Sequence, residues 1–190
     1  MTKEFLKDRR TSFEEIFFAK QDAKVLAQLR QEGERKAAIE GLARASGMDD
    51  EELLGKLVGL GIDARSWTAL SLVPLVEVAW SDGSIDAKER AAILTAASTH
   101  GLHRTAPGHV LLETFLRNRP EAALFAAWGG YMTELAAQLS PGEREAVRAQ
   151  IIDRARKIAA SAGGILGIGA ISDAEKRVLA ALERPFSSTA

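Results

Sequence analysis

Apolar residues recur at helical spacing along most of this chain, and that periodicity restricts its fold more than any other feature. Near the N-terminus, for example, Phe13, Ile16 and Phe17 share one helical face, as residues three or four positions apart do. No segment alternates apolar and polar residues with an excess of β-branched side chains, which is the pattern of a half-buried strand. The sequence therefore predicts an all-α fold of about eight helices.

Three capping boxes predict where helices begin. In a capping box the first residue accepts a hydrogen bond from a backbone N–H of the first turn, and a Glu three positions later accepts one from the first residue's own N–H. The three motifs are Asp86–Glu89, Ser140–Glu143 and Ser172–Glu175. Each precedes an apolar periodic run, so each predicts a helix N-terminus.

Gly and Pro residues predict breaks between and within helices. Gly33 is expected to interrupt the first helical run. A long apolar helix is predicted from about Ala64 to Trp80, with a kink at Pro74 because proline removes one backbone donor.

These signals divide the chain into three parts. Residues 1–62 are predicted to form an N-terminal helical extension and residues 63–184 a compact multi-helix domain. Residues 185–190 are expected to be a loose tail.

Composition excludes several classes of function. The 190 residues carry a net charge of −1 with well-mixed charges, which gives no electrostatic basis for binding nucleic acid or an anionic membrane. There is no cysteine, as is common in a reducing compartment. The charged N-terminus does not resemble a signal peptide, and the Ala- and Gly-rich run 158–172 is shorter than a membrane-spanning helix. We therefore expect a cytoplasmic protein without a membrane insertion.

The segment 82–89, DGSIDAKE, resembles the second half of an EF-hand calcium loop. In the pattern D-x-[DN]-x-[DN]-G-x5-E, Asp82, Gly83 and Glu89 occupy the last three conserved positions. The first two conserved positions are Val78 and Trp80, which offer no side-chain oxygen. The chain thus carries half of a metal loop.

This half-loop has two interpretations, which are compatible. Asp82, Asp86 and Glu89 could bind a hard divalent cation (Ca²⁺, Mg²⁺ or Mn²⁺), with the Ser84 carbonyl and Glu77 as further ligands. Alternatively, Gly83 provides a left-handed turn, Asp86 and Glu89 cap the next helix, and Asp82 is solvated. Because two ligand positions are missing, any cation site here is expected to be weak.

Part of the half-loop is repeated later in the chain. Residues 83–89 and 169–175 both read Gly, a small residue, Ile, a capping residue, two variable positions and Glu. This repeat predicts two similar turn-to-helix units, related by a pseudo-twofold axis. The second unit has Ile168 where the first has Asp82, so only the first is expected to bind a cation.

The region 66–184 resembles the tellurite-resistance TerB-like family. The resemblance is carried by an apolar helix followed by A-x-x-D-G-x-I-D-x-x-E-R and a second helix, matched here by Ala79, Asp82, Gly83, Ile85, Asp86, Glu89 and Arg90. It implies an all-α, twofold-like domain with an acidic patch for divalent cations. It also implies a stress-associated scaffold or sensor that acts through a protein partner. Trp80 and the single acidic unit depart from the family pattern, which favours a weak or vestigial metal site.

The N-terminal extension has a different similarity. DRRTSFEEIFFAKQD is similar to the ATP synthase inhibitor of alphaproteobacteria, the zeta subunit, at Arg10, Phe13, Glu14, Phe18 and Ala19. The alternative function is therefore an inhibitor or adaptor that binds its partner through helices within residues 3–46.

Two further chemistries receive less support from the sequence. His100, His103 and His109 lie within ten residues and could in principle bind zinc, but Gly101 separates the first two and we expect no zinc site. An enzyme built on Glu77, Asp82 and Glu89 is a third interpretation. No serine stands in a nucleophile elbow such as G-x-S-x-G, and we expect a protein without catalytic activity.

Overall fold

The computed structural model describes residues 2–99, 101–162 and 171–187, with side chains described from residue 20 onward except at 161 and 162. Within these ranges the chain forms helices and no strand. The helices are α1 Thr2–Ser46, α2 Glu51–Gly59, α3 Val73–Ala79, α4 Ala87–Thr99, α5 Pro107–Arg117, α6 Ala122–Gln138, α7 Pro141–Ala162 and α8 Asp173–Ser187, with a 3₁₀ helix at Trp67–Leu72. The prediction of an all-α fold is confirmed. None of the described helices combines the length and the apolar character needed to cross a bilayer.

The short helix α3 lies at the centre of the fold. Six of its seven residues are buried, and it packs against α4, α6, α7 and α8. All residues of its sequence VPLVEVA except Glu77 are apolar. This composition suits a helix that is enclosed on all sides, because such a helix needs no polar face. The site predicted from the sequence follows directly after α3.

α1 continues through Gly33, so the predicted interruption there is wrong. Gly33 has no neighbour that restricts its conformation, and its flanking residues form helix readily. A single glycine in an exposed helix costs only about 1 kcal/mol relative to alanine. Such a cost weakens a long helix without breaking it.

The predicted extension contributes to the domain core. Leu42 of α1, Leu54 of α2 and Ile62 are almost completely buried and belong to the same apolar cluster as Leu182 of α8. α1 and α2 approach each other closely at Gly55, where a Cβ atom would lie 3.2 Å from Arg35 Nη2. Residues from about Ala38 to Ile62 thus pack with the domain, while residues 20–37 of α1 are exposed.

Pro74 begins a helix instead of kinking one. The predicted helix 64–80 is divided into the 3₁₀ helix Trp67–Leu72 and α3, and Pro74 lies in the first turn of α3. A first-turn residue has no intrahelical acceptor for its N–H, so proline loses nothing there. The prediction of a kink is therefore corrected.

The C-terminal helix extends beyond the predicted start of the loose tail. α8 continues through Pro185 to Ser187, and Phe186 is buried with only 8% of its surface exposed. Burial of this ring against the core stabilises the last turn in spite of the backbone donor that Pro185 lacks. The predicted tail at 188–190 lies outside the described residues.

Candidate functional site

The half-loop connects the central helix α3 to α4. Its backbone turns through hydrogen bonds from Trp80 N to Val76 O, from Ser81 N to Val78 O and from Gly83 N to Trp80 O. Gly83 has φ +96°, a conformation that residues with a Cβ rarely adopt. The glycine therefore permits the reversal that brings the acidic residues out of the core.

The two loop positions without a ligand oxygen have structural roles. Val78 is fully buried, with 0% of its surface exposed. The indole N–H of Trp80 donates to the carbonyl of Phe115 at 2.9 Å, which fastens the loop to the C-terminal end of α5. These positions hold the loop in place and are not available to a cation.

Asp86 and Glu89 form the predicted capping box. Asp86 Oδ1 accepts from the Glu89 N–H at 2.8 Å, and Glu89 Oε2 accepts from the Asp86 N–H at 2.9 Å. The same Asp86 oxygen also accepts from the Lys88 N–H at 2.7 Å. The prediction of a helix start at this box is confirmed, and one oxygen of each carboxylate is occupied by the cap.

The carboxylate of Glu89 has a raised pKa. Glu89 is only 4% exposed, and this burial is the main cause of its raised pKa. The hydrogen bond from the Asp86 N–H acts in the opposite direction and lowers the pKa. The negative charges of Asp86, Asp82 and Glu175 raise the pKa further. Three carboxylates from two different segments thus act on Glu89.

The remaining predicted ligands lie around this group. Asp82 is exposed, and its Oδ1 accepts from the Ser84 N–H at 3.0 Å. Ser84 is also exposed, whereas Glu77 is half-buried within α3. Among the described residues, no three or more His, Asp or Glu side chains are arranged so that they could hold a metal ion together.

Glu175 is the residue that the sequence did not assign to this site. It closes the box of the second unit, where Ser172 N donates to Glu175 Oε2 at 2.6 Å and Glu175 N donates to Ser172 Oγ at 3.2 Å. It is also buried, with 8% of its surface exposed. The repeat aligns Glu175 with Glu89, and that alignment is the sequence signal that could have identified it.

The two units occupy comparable places in the fold. α4 and α8 each pack against both α3 and α7, and each begins at a capping box with a buried Glu. The prediction of a helix start is confirmed for the second box and also for Ser140–Glu143, where Ser140 N donates to Glu143 Oε2 at 3.0 Å. Residues 169 and 170 of the second turn lie outside the described residues, so the similarity of the two turns stays a prediction.

The histidines differ in their surroundings. His109 is 4% exposed; its Nε2 lies 3.9 Å from Glu113 Oε1, and its Nδ1 has no hydrogen-bond partner among the described residues. His103 is exposed, and His100 lies outside the described residues. The expectation that they form no zinc site stays a prediction.

The chain matches no protein-family model, and neither a curated protein nor a solved structure matches it significantly.

Proposed function

We propose that this chain is a non-enzymatic, TerB-like scaffold or sensor that acts through contacts with a protein partner. In this proposal Asp82, Asp86 and Glu89 form a weak divalent-cation site only when a cation draws them together, because these three side chains are not arranged in advance to hold a metal ion. The proposal rests on one observation about the carboxylate of Glu89 at the head of α4. Burial first, and then the charges of Asp86, Asp82 and Glu175, raise its pKa against the hydrogen bond from the Asp86 N–H.

A divalent cation would relieve this repulsion. Carboxylates near one another disfavour each other's ionised form, and a bound cation is a large local charge that reverses this effect. Calcium, magnesium and manganese prefer oxygen ligands of this type. A bound cation would therefore stabilise the ionised carboxylates at the heads of α4 and α8.

The free oxygen atoms limit how tightly such a cation is held. The caps occupy Asp86 Oδ1 and Glu89 Oε2, and the Ser84 N–H occupies Asp82 Oδ1. One oxygen of each carboxylate remains for the cation, and water must complete its coordination. Complete sensor loops bind calcium at roughly 10⁻⁷–10⁻⁵ M, so we expect about 10⁻⁴ M or weaker here.

Calorimetric titration with calcium, magnesium and manganese tests this proposal. Wild type and Asp153→Asn should bind equally, because Asp153 lies on α7 and pairs with Lys157. Asp82→Asn should weaken binding at least several-fold, because it removes one of three anionic ligands. Micromolar binding that is insensitive to Asp82→Asn would place the site elsewhere.

A second function, that of an adaptor or inhibitor, is favoured by the shape of α1. This helix has 45 residues and is therefore about 68 Å long at 1.5 Å per residue. Val25, Leu26 and Leu29 on it are 49%, 56% and 58% exposed. An exposed apolar stripe on a helix is typical of a surface that binds a partner.

Site-specific photo-crosslinking in cells tests the adaptor function. A crosslinker at Leu26 or Leu29 should capture one defined partner, whereas a crosslinker at the exposed Lys157 of α7 should not. The double variant Leu26→Glu with Leu29→Glu should abolish the crosslink formed from the neighbouring position Val25. Identical crosslinked products from α1 and from Lys157 would contradict this function.

A further inference from the structure

A cavity of about 300 Å³ opens between the 3₁₀ helix Trp67–Leu72 and the helices α6 and α7. Its wall is mainly apolar and includes Trp67, Leu70, Trp128, Met132 and Ile151. Trp128 is almost completely buried, with 1% of its surface exposed, so the floor of the cavity belongs to the rigid core. A preformed apolar cavity of this volume is at the lower end of the range seen for small-molecule sites.

Polar groups line only part of this cavity. Tyr131 of α6 and Gln150 and Arg154 of α7 contribute to it. Burial, and after it the charge of Glu134, raises the pKa of Tyr131, so its hydroxyl stays protonated and able to donate at neutral pH. A few polar groups in an apolar wall are the usual means of orienting a ligand.

Arg154 differs from Arg148 and Lys157 of the same helix. Arg148 pairs with Glu145 and Glu183, and Lys157 pairs with Asp153. Arg154 is half-buried beside the cavity, and its guanidinium group has neither an ion pair nor a hydrogen bond within the part of the chain that the structure describes. A guanidinium group has five donors that fit a carboxylate in a two-point contact.

We propose that this cavity binds a small amphipathic carboxylate, with its hydrocarbon body against Trp67, Trp128 and Ile151 and its carboxylate on Arg154. Among the described residues, Arg154 is the one cationic side chain that lines the cavity, which fits a singly charged carboxylate better than a doubly charged phosphate. Medium-chain fatty acids have this chemistry. The site shares no residue with the carboxylates at the heads of α4 and α8, so it is independent of the proposed cation site.

Tryptophan fluorescence should report ligand binding in this cavity. Two of the three tryptophans of the chain, Trp67 and Trp128, line it, whereas the indole of Trp80 is engaged with Phe115. Titration with hexanoate, octanoate and decanoate should therefore change the tryptophan fluorescence in a saturable way. Each added methylene that is buried should tighten binding about fourfold, until the cavity is filled.

A comparison of charged and uncharged ligands tests the contribution of Arg154 separately from that of the apolar wall. Octanol has the same chain as octanoate without the charge and should bind about tenfold more weakly. Arg154→Gln should weaken octanoate binding by about the same factor and leave octanol binding unchanged. Arg156→Gln is the matched control, because Arg156 is exposed on the same helix and does not line the cavity.

A cavity-filling variant tests the apolar half. Val147 lines the cavity and is half-buried, so Val147→Phe should reduce the binding of octanoate and octanol together. The melting temperatures of all variants should be measured to show that each is folded. If Val147→Phe does not fold, Arg154→Gln decides the proposal, because it removes only a half-exposed charge. Equal affinity for octanoate and octanol, an unchanged octanoate affinity in Arg154→Gln, or no saturable signal with any of the three acids would overturn the proposal.

Discussion

Glu89 and Glu175 are buried residues in the first turns of two different helices, and the charge of Glu175 acts on the carboxylate of Glu89. The charge of Glu175 is one of the causes that raise the pKa of Glu89, although 86 positions separate the two residues in the sequence. α3 and α7 bring them together, because α4 and α8 both pack on these two helices. Two capping motifs that look purely local in the sequence therefore meet in one electrostatic site.

The first prediction concerns the pH dependence that Glu89 gives to stability. Its pKa is raised above the ordinary 4.5, so its favourable contribution is complete below pH 4.5 and is lost as the pH rises through the folded-state pKa. Glu89→Gln removes this loss and keeps an oxygen that can accept from the Asp86 N–H. Urea unfolding between pH 4 and 8 should show that the variant becomes progressively more stable relative to wild type as the pH increases.

Glu143 is the matched control for this measurement. It closes an exposed capping box, and its hydrogen bonds from Ser140 lower its pKa from the ordinary 4.5. Its contribution is therefore present above pH 4.5 and is lost as the pH falls through the folded-state pKa. Glu143→Gln should destabilise the protein at neutral pH and have no effect in acid, and the same pH slope for both variants would contradict the assignment.

The second prediction separates capping from charge at Asp86. Its Oδ1 accepts from the Lys88 and Glu89 N–H groups, and loss of such a cap costs about 1 kcal/mol. Asp86→Ala should therefore lower the free energy of unfolding by about that amount. Asp86→Ser should stay within about 0.5 kcal/mol of wild type, because serine caps helices and removes a charge that repels Glu89.

Local signals in the sequence predicted the helix starts. At Asp86, Ser140 and Ser172 the cap and its Glu lie within four residues of each other, so no distant contact is needed to form the box. The sequence also placed Asp82, Asp86 and Glu89 together around the start of one helix. Its all-α fold follows from the same kind of short-range periodicity.

Features that depend on distant contacts were predicted incorrectly or not at all. Phe186 packs on the core in spite of Pro185, and no pattern within α8 shows that a distant surface covers this ring. Leu42 looks like any apolar residue of an amphipathic helix, yet it is fully buried beneath the rest of the domain. Glu175 acts on Glu89 only because α8 lies beside α3, which is a tertiary relationship.

The third prediction concerns the hydrogen bond that anchors the half-loop. Trp80→Phe keeps most of the ring packing and removes the donor to the Phe115 carbonyl, which should cost about 1 kcal/mol. Trp67→Phe is the control, because the indole of Trp67 donates no hydrogen bond within the described residues. Denaturant unfolding of both variants checks the difference, and equal effects would show that ring packing alone holds the loop.

The last prediction tests where the structural domain begins. Leu42 is fully buried, and Leu42→Ala should cost roughly 2–5 kcal/mol because it removes buried methyl groups and leaves a cavity. Leu29→Ala, on the exposed part of the same helix, should change stability by less than about 0.5 kcal/mol.

Truncation tests the same boundary. A chain that lacks residues 2–33 keeps the buried Leu42 and also Arg35, which lies beside Gly55. It should therefore unfold cooperatively at nearly the wild-type denaturant concentration. A chain that lacks residues 2–62 loses Leu42, Leu54 and Ile62 from the core and should not give a cooperative transition. A cooperative transition in that chain would instead support the division at residue 62 that the sequence predicts.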